Sequence, residues 1–174
     1  MITLHEPTLK LRQAYRDFYE EYAASGEKMT PFVVRHSPTD FSKMLAYLKS
    51  HTKEQTKLGV PHSTYWAVES ESGKVVGVIN IRHKLTDKLF ETGGHIGYGI
   101  RSTARGKGYA TEMLTCSFEK VRALGISRAL VCCDEDNVAS ERVIVKNGGK
   151  QTESKVDGGV RVKRFWIDLK KGGF

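Results

Sequence analysis

Arg105-Gly106-Lys107-Gly108-Tyr109-Ala110 is the stretch on which the reading of this chain turns. Small residues recur where a loop passes into an amphipathic helix, so unpaired backbone N–H groups can converge on an anion at the helix N-terminus. The glycines keep side chains out of the way and admit positive φ, as a backbone cradle for a pyrophosphate requires. Arg101, Arg105 and Lys107 add positive charge. A Walker-type loop would need glycine in place of Arg101 and Ser or Thr in place of Gly108, and a dinucleotide fingerprint starting at Gly97 would need glycine in place of Ser102. Both patterns fail.

Working outward, Ala110, Met113, Leu114, Ser117, Phe118, Val121 and Leu124 line one face of the helix that follows, and Gly125 can end it. Before the loop, Gly94 to Ile100 alternates as a strand, but its interior Gly97 and Gly99 mark a bulge or the close approach of another backbone or a ligand. After the helix, Ala129 to Cys133 is a continuous apolar run, the signature of a strand buried on both faces. Strand, helix and strand together predict a right-handed crossover and a parallel strand pair. A last helix is expected over Asn137 to Asn147, and a closing hairpin from Gly149 to Leu169 turns at Asp157-Gly158-Gly159.

Towards the start, Ile2 to His5 reads as a short strand, and Leu11 to Tyr22 has apolar residues at helical spacing. A second helix follows Pro38, capped by Thr39 or Asp40, with Phe41, Met44, Leu45 and Leu48 on one face. Ser63 to Glu69 and Lys74 to Arg82 flank Ser72-Gly73 and predict an antiparallel hairpin. The fold class is α/β of the mixed α+β kind: a single domain over residues 1–174, with a mixed, mostly antiparallel sheet and helices on its faces.

The bulk properties narrow the function. A chain of 174 residues suits one domain, and its 39% hydrophobic residues fall in periodic segments, against disorder. No run approaches the roughly 18 apolar residues of a membrane helix, and Met1 to Glu6 lacks a signal-peptide pattern, so a cytoplasmic chain is expected. The charge of +8 is spread along the chain without a dense basic run, which a small anionic ligand explains as well as nucleic acid would. Cys116, Cys132 and Cys133 read as reduced thiols packed as small hydrophobes, and no zinc-type spacing exists, so no metal is expected.

These residues resemble the GCN5-related N-acetyltransferase (GNAT) superfamily. Its hallmark, Arg or Gln, two residues, Gly, one residue, then Gly or Ala, is met by Arg105, Gly108 and Ala110. Gly97 and Gly99 suit the bulged strand that precedes the hallmark, and Asn137 to Ser140 is similar to a second cofactor-contacting segment. The resemblance implies acetyl-CoA as acetyl donor, with a central parallel strand pair splayed to admit its pantetheine arm. It implies cofactor contacts from Gly99, Ile100, Arg101, Arg105, Gly106, Lys107, Gly108, Tyr109, Ala110, Asn137 and Ser140.

Transfer of an acetyl group from a thioester to an amine needs a donor for the carbonyl oxygen, a route for the amine proton and a fate for the thiolate. By resemblance, the backbone N–H of Tyr98 is the oxyanion donor and the backbone of Ile100 bonds the pantetheine amides. His95 is the candidate base, beside the alternative of a hydrogen-bonded strand histidine, and His83 is a weaker rival. Many members of the family carry a tyrosine acid where this chain has Ile144, so Ser140, a water or unaided departure is left for the thiolate. Direct attack in a ternary complex is expected, with positioning as the main contribution. The acidic run Asp134-Glu135-Asp136 can attract a cationic acceptor or serve as caps and solvated loop. The expected acceptor is a small-molecule or peptide amine, with neither nucleic acid nor membrane as partner; a homodimer stays open. The alternative reading is a non-catalytic CoA-binding sensor or scaffold.

Overall fold

The computed structural model describes residues 1–52 and 56–170. Its strands are β1 (Ile2–His5), β2 (His62–Glu69), β3 (Val75–Arg82), β4 (Ile96–Ile100), β5 (Arg128–Asp134), β6 (Lys150–Asp157) and β7 (Val160–Asp168). They form one sheet in the order β1-β2-β3-β4-β5-β7-β6. Every neighbouring pair is antiparallel except β4 and β5, which are parallel and meet in register only at Ile96 and Val131. The central pair is therefore joined at one end and open at the other.

Alternation along the strands feeds two cores. On one face, Tyr15, Phe18 and Tyr22 of α1 (Arg12–Ala24) and Phe41, Met44 and Leu48 of α2 (Phe41–Ser50) pack over Trp66, Val68, Val75 and Val78. Tyr15 stacks on Trp66 with ring centroids 4.1 Å apart. On the other face, Met113, Leu114 and Val121 of α3 (Tyr109–Ala123) and Ile144 of α4 (Val138–Lys146) pack against Ile79, Ile81, Ile100 and Val131. Each large apolar side chain so covered contributes about 1.5–3 kcal/mol. Asp40 caps α2 by accepting from the Lys43 N–H at 3.0 Å, and Asn137 caps α4 by accepting from the Ser140 N–H at 3.1 Å.

The glycines of β4 do not make the bulge that the sequence suggested. Register with β3 runs without a shift from Gly77 and Ile100 to Ile81 and Ile96. Close approach is their purpose instead: a Cβ on Gly99 would overlap the Thr30 carbonyl, and one on Gly97 would stand 3.0 Å from the Arg82 guanidinium. The segment before the turn Phe32–Arg35 thus lies directly on β4, tied there by the Tyr22 hydroxyl, which accepts from the Thr30 N–H at 3.2 Å.

Among the described residues, no helix is long and apolar enough to cross a membrane.

Candidate active site

The loop between β4 and α3 is closed by contacts among its own residues. Arg105 Nε donates to the Ile100 carbonyl at 3.1 Å, a short turn occupies Ser102–Ala104, and Gly106 and Gly108 take φ of 76° and 82°. Neither glycine has an atom within 4 Å of where a Cβ would be, so the need is conformational rather than spatial. The helix then starts on Gly108 with no side-chain cap, unlike α2 and α4. Its first N–H groups are left for an anion.

This helix end opens on a cavity of about 630 Å³. Of the predicted cofactor contacts, Gly99, Ile100, Arg105, Gly106, Gly108, Tyr109, Ala110, Asn137 and Ser140 line it, whereas Arg101 and Lys107 do not. Arg101 turns to α1 instead, donating from Nε to Glu21 at 2.6 Å and from Nη1 to the Val75 carbonyl at 3.2 Å. Burial alone would raise the Glu21 carboxyl, but hydrogen bonds from Arg101, Thr103 and Ser102 outweigh it and hold the group down at about 2. Arg105 is gripped in a two-pronged pair by Glu27, Nη1 at 2.9 Å and Nη2 at 2.6 Å. The sequence reading missed Lys28 and the face of α4 formed by Ala139, Arg142, Val143 and Lys146, all lining the same cavity. The recurrence of small and basic residues at helical spacing after Asn137 was the available signal.

A second cavity, of about 400 Å³, lies on the other side of a shared wall. Lys28, Thr30, Tyr98, Asn137 and Ser140 line both spaces. Its own lining includes Phe32, Arg82, Cys132, Asp134 and Asp157. In the wall, Tyr98 Oη lies 2.8 Å from Ser140 Oγ. Burial pushes the phenol up to about 12, so it stays protonated at neutral pH.

The phase of the β3–β4 ladder fixes where the backbone of β4 points. Arg82 N–H donates to the His95 carbonyl at 2.7 Å and Arg101 N–H to the Val76 carbonyl at 3.0 Å. With the register between them, Gly97 and Gly99 face β3, and the N–H groups of Tyr98 and Ile100 face β5. Past Ile96 the two strands are unpaired, so both N–H groups open into the gap.

His95 has a different setting from the one expected of a base. Its Nδ1 accepts from the Leu130 N–H at 2.9 Å, its own N–H donates to the Leu130 carbonyl at 2.7 Å, and it lines neither cavity. Burial, then the charge of Arg82, lowers the ring to about 4. The ring is a clasp at the joined end of β4 and β5. His83 sits 2.7 Å from the Ser63 hydroxyl. Burial raises the thiols of Cys132 and Cys133 to about 12 and about 11, which leaves both protonated. Ile144 is fully buried in the core. Among the described residues, no cluster of three His, Cys, Asp or Glu side chains is arranged to hold a metal ion.

The family model described as acetyltransferase (GNAT) domain matches residues 8–150. Comparison with curated proteins finds no match. Among solved structures, RimJ of Mycobacterium smegmatis in complex with CoA-disulfide superposes with a TM-score of 0.69 at 19% identity, covering 96% of this chain and 81% of that one. The microcin C7 self-immunity acetyltransferase MccE, in complex with acetyl-CoA and AMP, gives 0.67 at 18% identity over 96% of this chain and 92% of that one. An acetyltransferase of Salmonella typhimurium that modifies the N-terminal serine of ribosomal protein L7/L12 gives 0.66 at 15% identity over 96% and 94%. At such identities the likeness bears on the fold alone.

Proposed function

The chain belongs to the GNAT acetyltransferase family, and on that premise we propose that it moves an acetyl group from acetyl-CoA to a primary amine by direct attack in a ternary complex. The observation that carries this reading is the pair of cavities meeting at the wall formed by Tyr98, Ser140, Asn137 and Thr30. One side offers the uncapped N-terminus of α3 with Arg105, Arg142 and Lys146 around it, chemistry suited to the phosphates of CoA. The other side is lined with charged side chains and suits a polar acceptor.

In this reading the gap between β4 and β5 takes the thioester arm, with the Ile100 N–H bonding an amide and the Tyr98 N–H facing the carbonyl oxygen. An ammonium with a pKa of about 10.4 must first lose a proton, and solvent at the acceptor side, which Asp134 also lines, receives it. The amine nitrogen then bonds the carbonyl carbon, and the Tyr98 N–H stabilises the developing oxyanion. As the tetrahedral centre collapses, the C–S bond breaks and its electron pair stays on sulfur. The Tyr98 hydroxyl, backed by Ser140, gives its proton to that sulfur to make the free thiol and regains one from the amine nitrogen, which sheds its remaining extra proton as it becomes the amide. The cysteines take no covalent part, because protonated buried thiols are poor nucleophiles.

The test is to incubate the protein with acetyl-CoA and a panel of amines while following free thiol and acetylated product. Turnover with intersecting initial-velocity lines is expected. Absence of acetyl-CoA binding, or background thiol release with every amine, would sink the reading in favour of a binding protein or a different ligand; parallel lines would sink direct attack.

A further inference from the structure

Arg82 is a cation set into the interior with no opposite charge beside it. It ends β3 and is only 7% exposed. Nη1 donates to the carbonyls of Gly93 at 3.3 Å and Gly94 at 3.5 Å, while Nε is buried without a partner. Among the described residues, Nη2 makes no hydrogen bond and no carboxylate lies within 4.0 Å of the guanidinium. Its titratable neighbours do not compensate: burial holds His62 and His95 neutral, at about 3 and about 4, and keeps the Cys132 thiol protonated. Burial lowers Arg82 itself only to about 10, so it is charged at neutral pH.

A buried charge of this kind is strongly unfavourable unless something pairs with it. The edge left over is informative. Nε is closed off from solvent, so Nη2 is the donor left for a carboxylate that enters the cavity. That side chain lies flat on Gly97, next in sequence to Tyr98, and lines the acceptor cavity. Asp134 lines the same cavity and has no ion-pair partner among the described residues, whereas Asp157 is engaged by Lys88 at 2.6 Å. The cavity thus has a deep cation and a carboxylate free for an ammonium, the two ends of an amino acid.

We propose that Arg82 anchors a carboxylate of the acceptor, which makes the acceptor class amino acids and related amino-carboxylates. This rests on the acetyl-transfer reading above and names the acceptor for the same site. In the wild-type protein, L-amino acids should be acetylated with kcat/KM on the order of 100-fold above the matching amino acid amides, because the amide leaves the guanidinium unpaired. Calorimetry with N-acetylated amino acids and their amides reads the same preference without turnover.

Arg82→Lys should raise KM for the acid at least about tenfold with kcat little changed, since it keeps the charge and loses the planar guanidinium that presents Nη2. Arg82→Gln should erase the preference for acids over amides. Unchanged acetyl-CoA affinity and circular dichroism show that the variants are folded. Equal turnover or binding of acids and amides by the wild type overturns the inference whether or not the variants fold, as does failure to bind or acetylate any amino acid by a protein that binds acetyl-CoA. Loss of acetyl-CoA binding in the wild type overturns the earlier reading instead.

Discussion

Tyr98 reaches from β4 to α4 and sets its hydroxyl 2.8 Å from that of Ser140, at the one wall that both cavities share. Tyr98→Phe keeps the ring and the backbone N–H but removes the proton donor. It should lower kcat about 100-fold and leave the KM for acetyl-CoA within a few fold. Ser140→Ala should lower kcat less, about tenfold, because the phenol remains. A Tyr98→Phe enzyme with wild-type kcat in a thiol-release assay would remove Tyr98 from the chemistry.

His95 links β4 to β5 as a neutral ring. Its pKa in the folded chain, about 4, lies below the ordinary 6.5, so its contribution to stability is complete above pH 6.5 and is lost as pH falls towards 4. His95→Ala should cost about 1–3 kcal/mol by leaving the buried Leu130 N–H unpaired. Chemical denaturation from pH 4 to pH 7 should show a shallower dependence in the variant. If His95→Gln erased a limb of the pH–rate profile while the fold held, the ring would be a base after all.

Glu21 is depressed from 4.5 to about 2, against burial, by the hydrogen bonds of Arg101, Thr103 and Ser102. Its stabilisation is therefore full above pH 4.5 and disappears as pH falls to 2. Glu21→Gln should lose about 2 kcal/mol at pH 7 and flatten the acid limb of the stability curve. Donor affinity should change little, because Arg101 lies outside the cofactor cavity. An unchanged acid limb in urea titrations would count against this network.

At Gly108, φ of 82° penalises any side chain although the space is open. Gly108→Ala should cost about 1–2 kcal/mol of strain and weaken acetyl-CoA modestly. Gly108→Glu adds a carboxylate at the uncapped helix end and should weaken it at least about tenfold, by calorimetry. Equal affinities for the two variants would mean that the phosphates bind elsewhere.

Much of the fold was legible because local pattern and environment agree. Phe41, Met44 and Leu48 are buried as their period implies, with Leu45 only partly so, and the run Ala129 to Cys133 is buried except for the partly exposed Cys132. Asp40 and Asn137 cap as their positions suggest. The less legible parts are those set by distant partners. Arg101 sits beside the loop in sequence, yet Glu21 claims it from α1. Gly97 and Gly99 announced close contact, but only packing shows that Arg82 and Thr30 are what they admit. His95 looked poised for proton transfer because a side chain's lone pair carries no mark in sequence of the N–H already bound to it. Arg82 was unremarked as an anchor, since nothing in a strand-end arginine reveals the lack of a carboxylate nearby.

The two-pronged grip of Glu27 on Arg105 carries one more consequence. A polyphosphate that reaches this guanidinium meets a charge already offset by a carboxylate, so Arg105 offers it less net attraction than a free arginine would. Because that charge is already paired, the ionic-strength dependence of donor binding should be shallower than the basic side chains around the cavity would imply.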